Sequence, residues 1–360
     1  MNHKLYNCLL LYTIIMLCGC SSREGKVIEQ AYRLSSAHPD SALILLSAMN
    51  RHGLSSHNEA RYALVFTMAQ DKSGLDVDND SLLSVAYTYY NSRLKDSLYA
   101  KCMYYEGKYC MLNGMSEKAL ECFKKSVTAA KSLRDKYTMC LSLNRMSKIQ
   151  CDINTSQAVK FAKKADLIYS TIPAASQINK VYFKLDLCQA LALDGHLSAA
   201  KLENLKAMKV ANATNDSMAI SSTCQNLSGI LRKSHEHFQA LQFSKKAYQF
   251  ASYPNNALLL NLSWAYLNVD SLDECDQFLS KVKTDNPENL YTLYYLRHLS
   301  AIKRHNYKRT IQFADSAYYF LETMYGNEIT KKEHYYTDWS KSRYEKKLSK
   351  VDQNFSFIFC

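Results

Sequence analysis

Residues Met103–Phe123 read MYYEGKYCMLNGMSEKALECF, and the reading of this stretch decides the fold. A small residue, Gly107, is followed by the turn signal Asn113-Gly114, by a second small residue, Ala119, and then by an aromatic, Phe123. Ala119 and Phe123 stand 12 and 16 positions after Gly107. Two antiparallel helices approach closely only where the facing side chains are small, and a ring one turn further on fills the gap left beside them. The stretch therefore predicts a helix hairpin with Gly107 and Ala119 at its closest approach.

These offsets match the first-helix glycine, second-helix alanine and following aromatic of the tetratricopeptide (TPR) repeat, a family this chain resembles. A fuller copy lies at Leu259–Pro287, where Leu259, Leu262, Ser263, Tyr266, Cys275, Leu279 and Val282 have suitable character and Pro287 closes the unit. Cys275 stands in for the usual alanine. Aligning the start of each expected second helix gives Ala42, Leu82, Ala119, Ala158, Ala200, Ala240, Cys275 and Thr310. Their intervals are 40, 37, 39, 42, 40, 35 and 35, beside a TPR period of about 34. Departures are visible: Glu106 replaces a leucine, Asn204 the aromatic, and Leu82 and Thr310 the alanine. The resemblance implies an all-α, right-handed helix-hairpin solenoid of about eight TPR-like units over residues 27–326.

Composition agrees with a helical chain. Only 9 glycines and 4 prolines, the residues that interrupt regular structure, occur in 360 positions. Asp-Ser pairs at 40–41, 80–81, 96–97, 216–217 and 270–271 are expected as helix caps, because short oxygen-bearing side chains satisfy the first N–H groups of a helix. Asn113-Gly114, Asp194-Gly195 and His305-Asn306 are expected in turns between paired helices. No Pro/Gly-rich linker or low-complexity tract marks a domain boundary.

The N-terminus carries an address. Residues 5–19 are mostly apolar and follow His3-Lys4, the pattern of a secretory signal, and the run is shorter than the roughly 20 residues needed to span a bilayer. Leu17-Cys18-Gly19-Cys20 resembles the bacterial lipobox, although alanine, serine or threonine is commoner than cysteine at position 18. The resemblance implies a signal peptide at 1–19, lipidation of Cys20 and a lipidated tether at 20–26. The stretches 27–49 and 60–90 resemble the N-terminal part of Bacteroides-type TPR lipoproteins. That places the chain at the membrane of a bacterial cell envelope, on its periplasmic or surface face.

Catalytic chemistry is not legible. There is no GxGxxG or GxxxxGK[ST] to cradle a phosphate. His235-Glu236-His237 places its imidazoles on different helix faces and reads as a turn, and the acidic run 76–80 lacks the glycine and distal glutamate of a calcium loop. Cysteines 102, 110, 122, 140, 188, 224 and 275 fall in apolar helical patterns without CxxC spacing and read as small core residues. No enzyme, cofactor, metal or small-molecule substrate is expected.

The formal net charge is +12. For an exported lipoprotein that favours acidic proteins or anionic lipids over nucleic acid. Residues 327–350 read as a charged helix, followed by the short apolar tail 355–360. The 27 tyrosines divide between helix packing and exposed contacts on a concave surface lined by first helices, where a protein or peptide partner would lie. The expected function is a non-catalytic, membrane-anchored interaction scaffold. Two alternatives are the sensory portion of a longer membrane-associated regulator and a SusD-like nutrient-binding lipoprotein; the two tryptophans, Trp264 and Trp339, give the latter little material for glycan stacking. Substituting Cys20→Ala should move the protein out of the membrane fraction with an unchanged helical circular-dichroism spectrum; continued membrane attachment would refute lipidation at Cys20.

Overall fold

The structure, a computed structural model, describes residues 23–75 and 80–325. Cys20 with the expected signal, the acidic residues 76–79 and the expected helix and tail at 327–360 lie outside the described residues. Among those described are sixteen helices and no strand. They are α1 (Arg23–Leu34), α2 (Pro39–Ser47), α3 (Ser56–Lys72), α4 (Asp80–Tyr90), α5 (Tyr99–Leu112), α6 (Ser116–Ser132), α7 (Lys136–Ile153) and α8 (Thr155–Ser170). They continue as α9 (Gln177–Leu193), α10 (Leu197–Thr214), α11 (Ser217–Lys233), α12 (His237–Phe250), α13 (Asn256–Leu267), α14 (Leu272–Leu279), α15 (Pro287–Lys303) and α16 (Tyr307–Tyr325). In chain order they form eight first-helix and second-helix pairs. Helix α1 begins at Arg23, so residues 23–26, expected as tether, are its first turn.

The helix starts use caps other than most of those anticipated. Ser55, Asn154, Ser176, Asp216 and Asn255 each accept a hydrogen bond from the backbone N–H three residues on. Asn286 accepts two, just before Pro287. Pro287 therefore opens α15 rather than closing the preceding pair, at the one helical position where a missing N–H costs nothing. Of the expected Asp-Ser caps, Asp216 bonds Ala219 N–H, whereas Asp40 accepts from Ser73 and Asp270 pairs with Lys303. Short polar residues compete for whichever donor the fold brings nearest. Gly114, Gly195 and His305 take left-handed backbone between paired helices, with φ of 73°, 81° and 55°.

Packing within a pair rests on the small residues. Gly107 lies against the Phe123 ring so closely that a Cβ on it would sit 2.7 Å from a ring carbon. Ala42, Ala119, Ala158, Ala200, Ala240 and Cys275 are all buried. In α4 the register is shifted by one: Leu83 is buried and Leu82 half-buried. In α16 Thr310 is half-buried, and Ala314 and Ala317 take the buried positions.

In several pairs the first-helix small residue is also a donor. Ser147 Oγ donates to the Ala158 carbonyl at 2.9 Å and Ser228 Oγ to the Ala240 carbonyl at 2.8 Å. A hydroxyl thus does what Gly107 does, allowing close approach, and adds a hydrogen bond to a second-helix carbonyl. Ser221, two turns before Ser228, donates to the Ala247 carbonyl, and in the α5–α6 pair the direction is reversed, with Ser126 of α6 donating to the Ala100 carbonyl of α5. Asn204, in place of an aromatic, is fully buried and donates to Asn226 at 2.8 Å.

Two compact units divide the chain at Arg145/Met146, inside α7. No shift of composition announces that division. In the first unit Lys101 pairs with Asp135 at 2.5 Å. In the second, Thr155 and Ser156 donate to Asp194, Lys201 pairs with Glu236, and Arg304 pairs with Asp273. These partners are separated by about one repeat in sequence, so each polar contact ties one hairpin to the next.

Gly107→Ala should lower stability by roughly 1–3 kcal/mol through overpacking, against a helix-propensity gain of up to about 1 kcal/mol. In a Phe123→Leu background the loss should shrink, as read from urea midpoints of the four variants. The Lys101–Asp135 pair predicts a pH dependence. Burial disfavours the Asp135 carboxylate, but hydrogen bonds from Lys101 and Thr138 outweigh it and hold the carboxyl below its usual range. Its stabilisation is present above the unfolded carboxyl value of about 3.9 and disappears as pH falls through the depressed native value. Asp135→Asn should flatten that part of the acid branch of a stability-versus-pH curve.

Candidate functional site

In the unit from Met146 onward, the first helices α9, α11, α13 and α15 are buried over most of their circumference. Ser263 points into its hairpin and is fully buried. The next residue, Trp264, is turned about 100° around the helix and is half-buried. Ser228 is likewise buried, and Arg232, one turn on, is half-buried. The Arg232 guanidinium lies over the Trp264 ring, 4.1 Å from its centroid. Trp264 in turn meets Tyr295 at 5.9 Å between centroids, and Tyr295 stacks on Tyr291. Tyr291 and Tyr295 are 3% and 7% exposed, so Arg232 and Trp264 are the members of this row that meet solvent. A guanidinium on an indole gives a stiff, amphipathic platform, apolar in its body and polar at its edge.

The tyrosines divide between buried and exposed positions. Tyr90, Tyr104 and Tyr105 are buried, while the widely exposed Tyr253, Tyr307 and Tyr319 lie in the loop before α13 and on the second helix α16. Tyr266 stacks on Phe278 at 5.6 Å and lies beneath Lys245. Ser263, Cys275 and Leu279 are buried around the α13–α14 contact, and Gly107, Ala119 and Phe123 around α5–α6. These are packing positions, and none presents chemistry to solvent. Neither Trp264 nor Arg232 is singled out by a sequence motif; the usable signal is their place one residue and one turn after a buried serine.

In the first unit a shallow pocket of about 310 Å³ is lined by Gly25, Lys26, Glu29, Gln30, Arg33 and Arg61. Glu29 pairs with both Arg33 and Arg61, so two of its cations already have a partner. Burial raises the thiols of Cys122, Cys151 and Cys275 to about 12, which keeps them protonated and unreactive at neutral pH. His235 takes left-handed backbone and Glu236 precedes α12 and pairs with Lys201, so the His-Glu-His triplet forms a turn. Among the described residues no group of three His, Cys, Asp or Glu side chains is placed to hold a metal, and no helix is long and apolar enough to cross a membrane.

No family model matches the chain, and no curated protein matches it. Solved structures do. A Rap protein complexed with competence and sporulation factor is similar over 94% of this chain and 95% of its own, with a TM-score of 0.62 and 12% identity. NprR in complex with its cognate peptide NprX is similar over 92% and 99%, with a TM-score of 0.62 and 14% identity. A signal-transduction ATPase with a tetratricopeptide repeat sensor, from Pyrococcus horikoshii, covers 84% of this chain with 47% of its own, at a TM-score of 0.59 and 14% identity. At such identities the likeness is one of fold. The chain is a TPR-like helical repeat protein.

Proposed function

We propose that the chain is a non-catalytic scaffold that holds a peptide or protein segment against the first-helix face of its Met146–Cys360 unit, at a bacterial membrane to which Cys20 anchors it. The Arg232–Trp264 platform carries this reading. It is half-exposed, it is braced from behind by buried Tyr295, and arginine and tryptophan are the side chains that concentrate binding energy in interfaces. The peptide-bound NprR structure supports a segment as the occupant, since a similar fold there holds one. The lipobox-like Leu17–Cys20 supports the anchor. Two or three acyl chains, at roughly 0.8 kcal/mol per buried CH₂, would hold the protein at the membrane essentially irreversibly.

A second reading is a sensory repeat array of a regulator. It is favoured by the similarity to a signalling ATPase in which the repeats are the sensor. Both readings use the same face and differ in whether binding is the end of the process or triggers a downstream response.

Affinity capture with the chain from Ser21 onward should retain a protein from a cell-envelope extract, identifiable by mass spectrometry. Trp264→Ala should reduce that retention about tenfold or more at a temperature where its helical spectrum matches wild type, with the thermal midpoint lowered by the lost packing on Tyr295. Retention unaffected by Trp264→Ala would move the site off this face.

A further inference from the structure

The pocket of the first unit is built from charge. Lys26, Glu29, Gln30 and Arg33 recur at three and four residues along α1 and share one side of it, and Arg61 reaches that side from α3. The Glu29 carboxylate accepts Arg33 Nε on one oxygen, at 3.0 Å, and Arg61 Nη2 on the other. One carboxylate thus holds two guanidiniums side by side. Each guanidinium has five N–H donors, and Glu29 takes one from each. The Arg61 side chain is 22% exposed and that of Arg33 76%, so Arg61 forms the inner wall and Arg33 the rim. Lys26 and Gln30 are exposed and make no ion pair or hydrogen bond among the described residues.

Three cations therefore line the pocket against one carboxylate, a surplus of two positive charges. What they leave uncommitted is a set of converging N–H donors, the complement of an anion with several acceptor oxygens. Guanidinium forks match phosphate and carboxylate alike. A volume of about 310 Å³ is at the small end of ligand pockets and suits one anionic group with a small substituent.

Position chooses the source of that anion. Gly25 and Lys26 stand five and six residues beyond Cys20, and an extended chain advances at most about 3.6 Å per residue, which keeps the pocket within roughly 20 Å of Cys20. An acylated Cys20 lies at a bilayer surface, where lipid phosphates are the concentrated anions. Attraction to an anionic leaflet fades within about 10 Å at physiological salt, so the cations nearest the anchor decide the contact, and the overall charge of +12 does not. We infer that this pocket takes the phosphate of an anionic phospholipid headgroup, with Lys26, Arg33 and Arg61 as donors and Glu29 as the residue that positions the two guanidiniums. Such a contact seats α1 on the leaflet that the acyl chains enter. The choice of ligand rests on the anchor proposed above.

Vesicles test the site apart from the anchor. The chain from Ser21 onward holds every described residue and lacks Cys20, so its binding owes nothing to acylation. It should co-sediment with vesicles of equal parts phosphatidylglycerol and phosphatidylcholine, and not with phosphatidylcholine alone. Lys26→Ala/Arg33→Ala should weaken that binding roughly tenfold with an unchanged helical spectrum. Lys308→Ala/Arg309→Ala removes the same charge from exposed positions of α16 and should bind like wild type. Equal loss in the two variants, or no loss in the first, overturns the inference. Full displacement of the vesicles by inorganic phosphate at matched ionic strength would make the pocket a site for a free anion and overturn it as well. Hexaglutamate bound more tightly than the vesicles, and lost with Lys26 and Arg33, would assign the pocket to an acidic protein segment instead. A single headgroup contact is reversible, so the Cys20→Ala protein is still released from membranes. Its continued attachment, together with vesicle binding by the chain from Ser21 onward, would refute the anchor and leave the headgroup site standing; its release without vesicle binding would do the reverse.

Discussion

The close approach of two helices at a small residue is the constraint on which the fold depends. At α5–α6 it is extreme, since Gly107 has no room for a single added carbon against Phe123. Elsewhere serine takes the place, and its hydroxyl bonds a carbonyl of the facing helix. A buried hydroxyl left without a partner would cost about 1–3 kcal/mol, so close packing and hydrogen bonding are satisfied together or not at all. Each hairpin is fixed by that condition. Polar contacts about one repeat apart, such as Thr155 with Asp194 and Lys201 with Glu236, then join neighbouring hairpins. Each of these is worth little by itself where water reaches it.

Packing of this kind buries most of the circumference of the first helices in the second unit and leaves a narrow free side. In the second unit that free side carries Arg232 and Trp264, backed by tyrosines that are themselves buried. The cysteines contribute volume rather than reactivity, because burial holds their thiols protonated. Binding energy on such a surface comes from stiff aromatic area and from a few desolvated charges.

Helix pairing was legible in the sequence because Gly107, Ala119 and Phe123 recur at fixed offsets that backbone geometry alone requires. The register at α4 slipped from Leu82 to Leu83, because two adjacent leucines satisfy the pattern equally and only packing against the partner helix chooses between them. The expected Asp-Ser caps were redistributed for a similar reason: Asp40 and Asp270 met better partners, Ser73 and Lys303, across the repeat. Pro287 was read as the end of a unit and is the start of a helix, two roles that a proline's fixed φ serves alike. The candidate site was less legible, since Arg232 and Trp264 sit in different repeats and no spacing within either helix brings them together.

By itself the sequence determined that the chain is built from helix hairpins at a period of 35 to 42 residues, and it placed a lipobox-like Cys20 ahead of them. Those properties are local, written in spacings of a few residues to one repeat. Only the tertiary structure decided which tyrosines are buried and that an arginine lies on Trp264. These depend on which side of each helix remains uncovered and on distances between residues far apart in the chain. No periodicity along a single helix encodes such distances, because they are set by how successive hairpins stack.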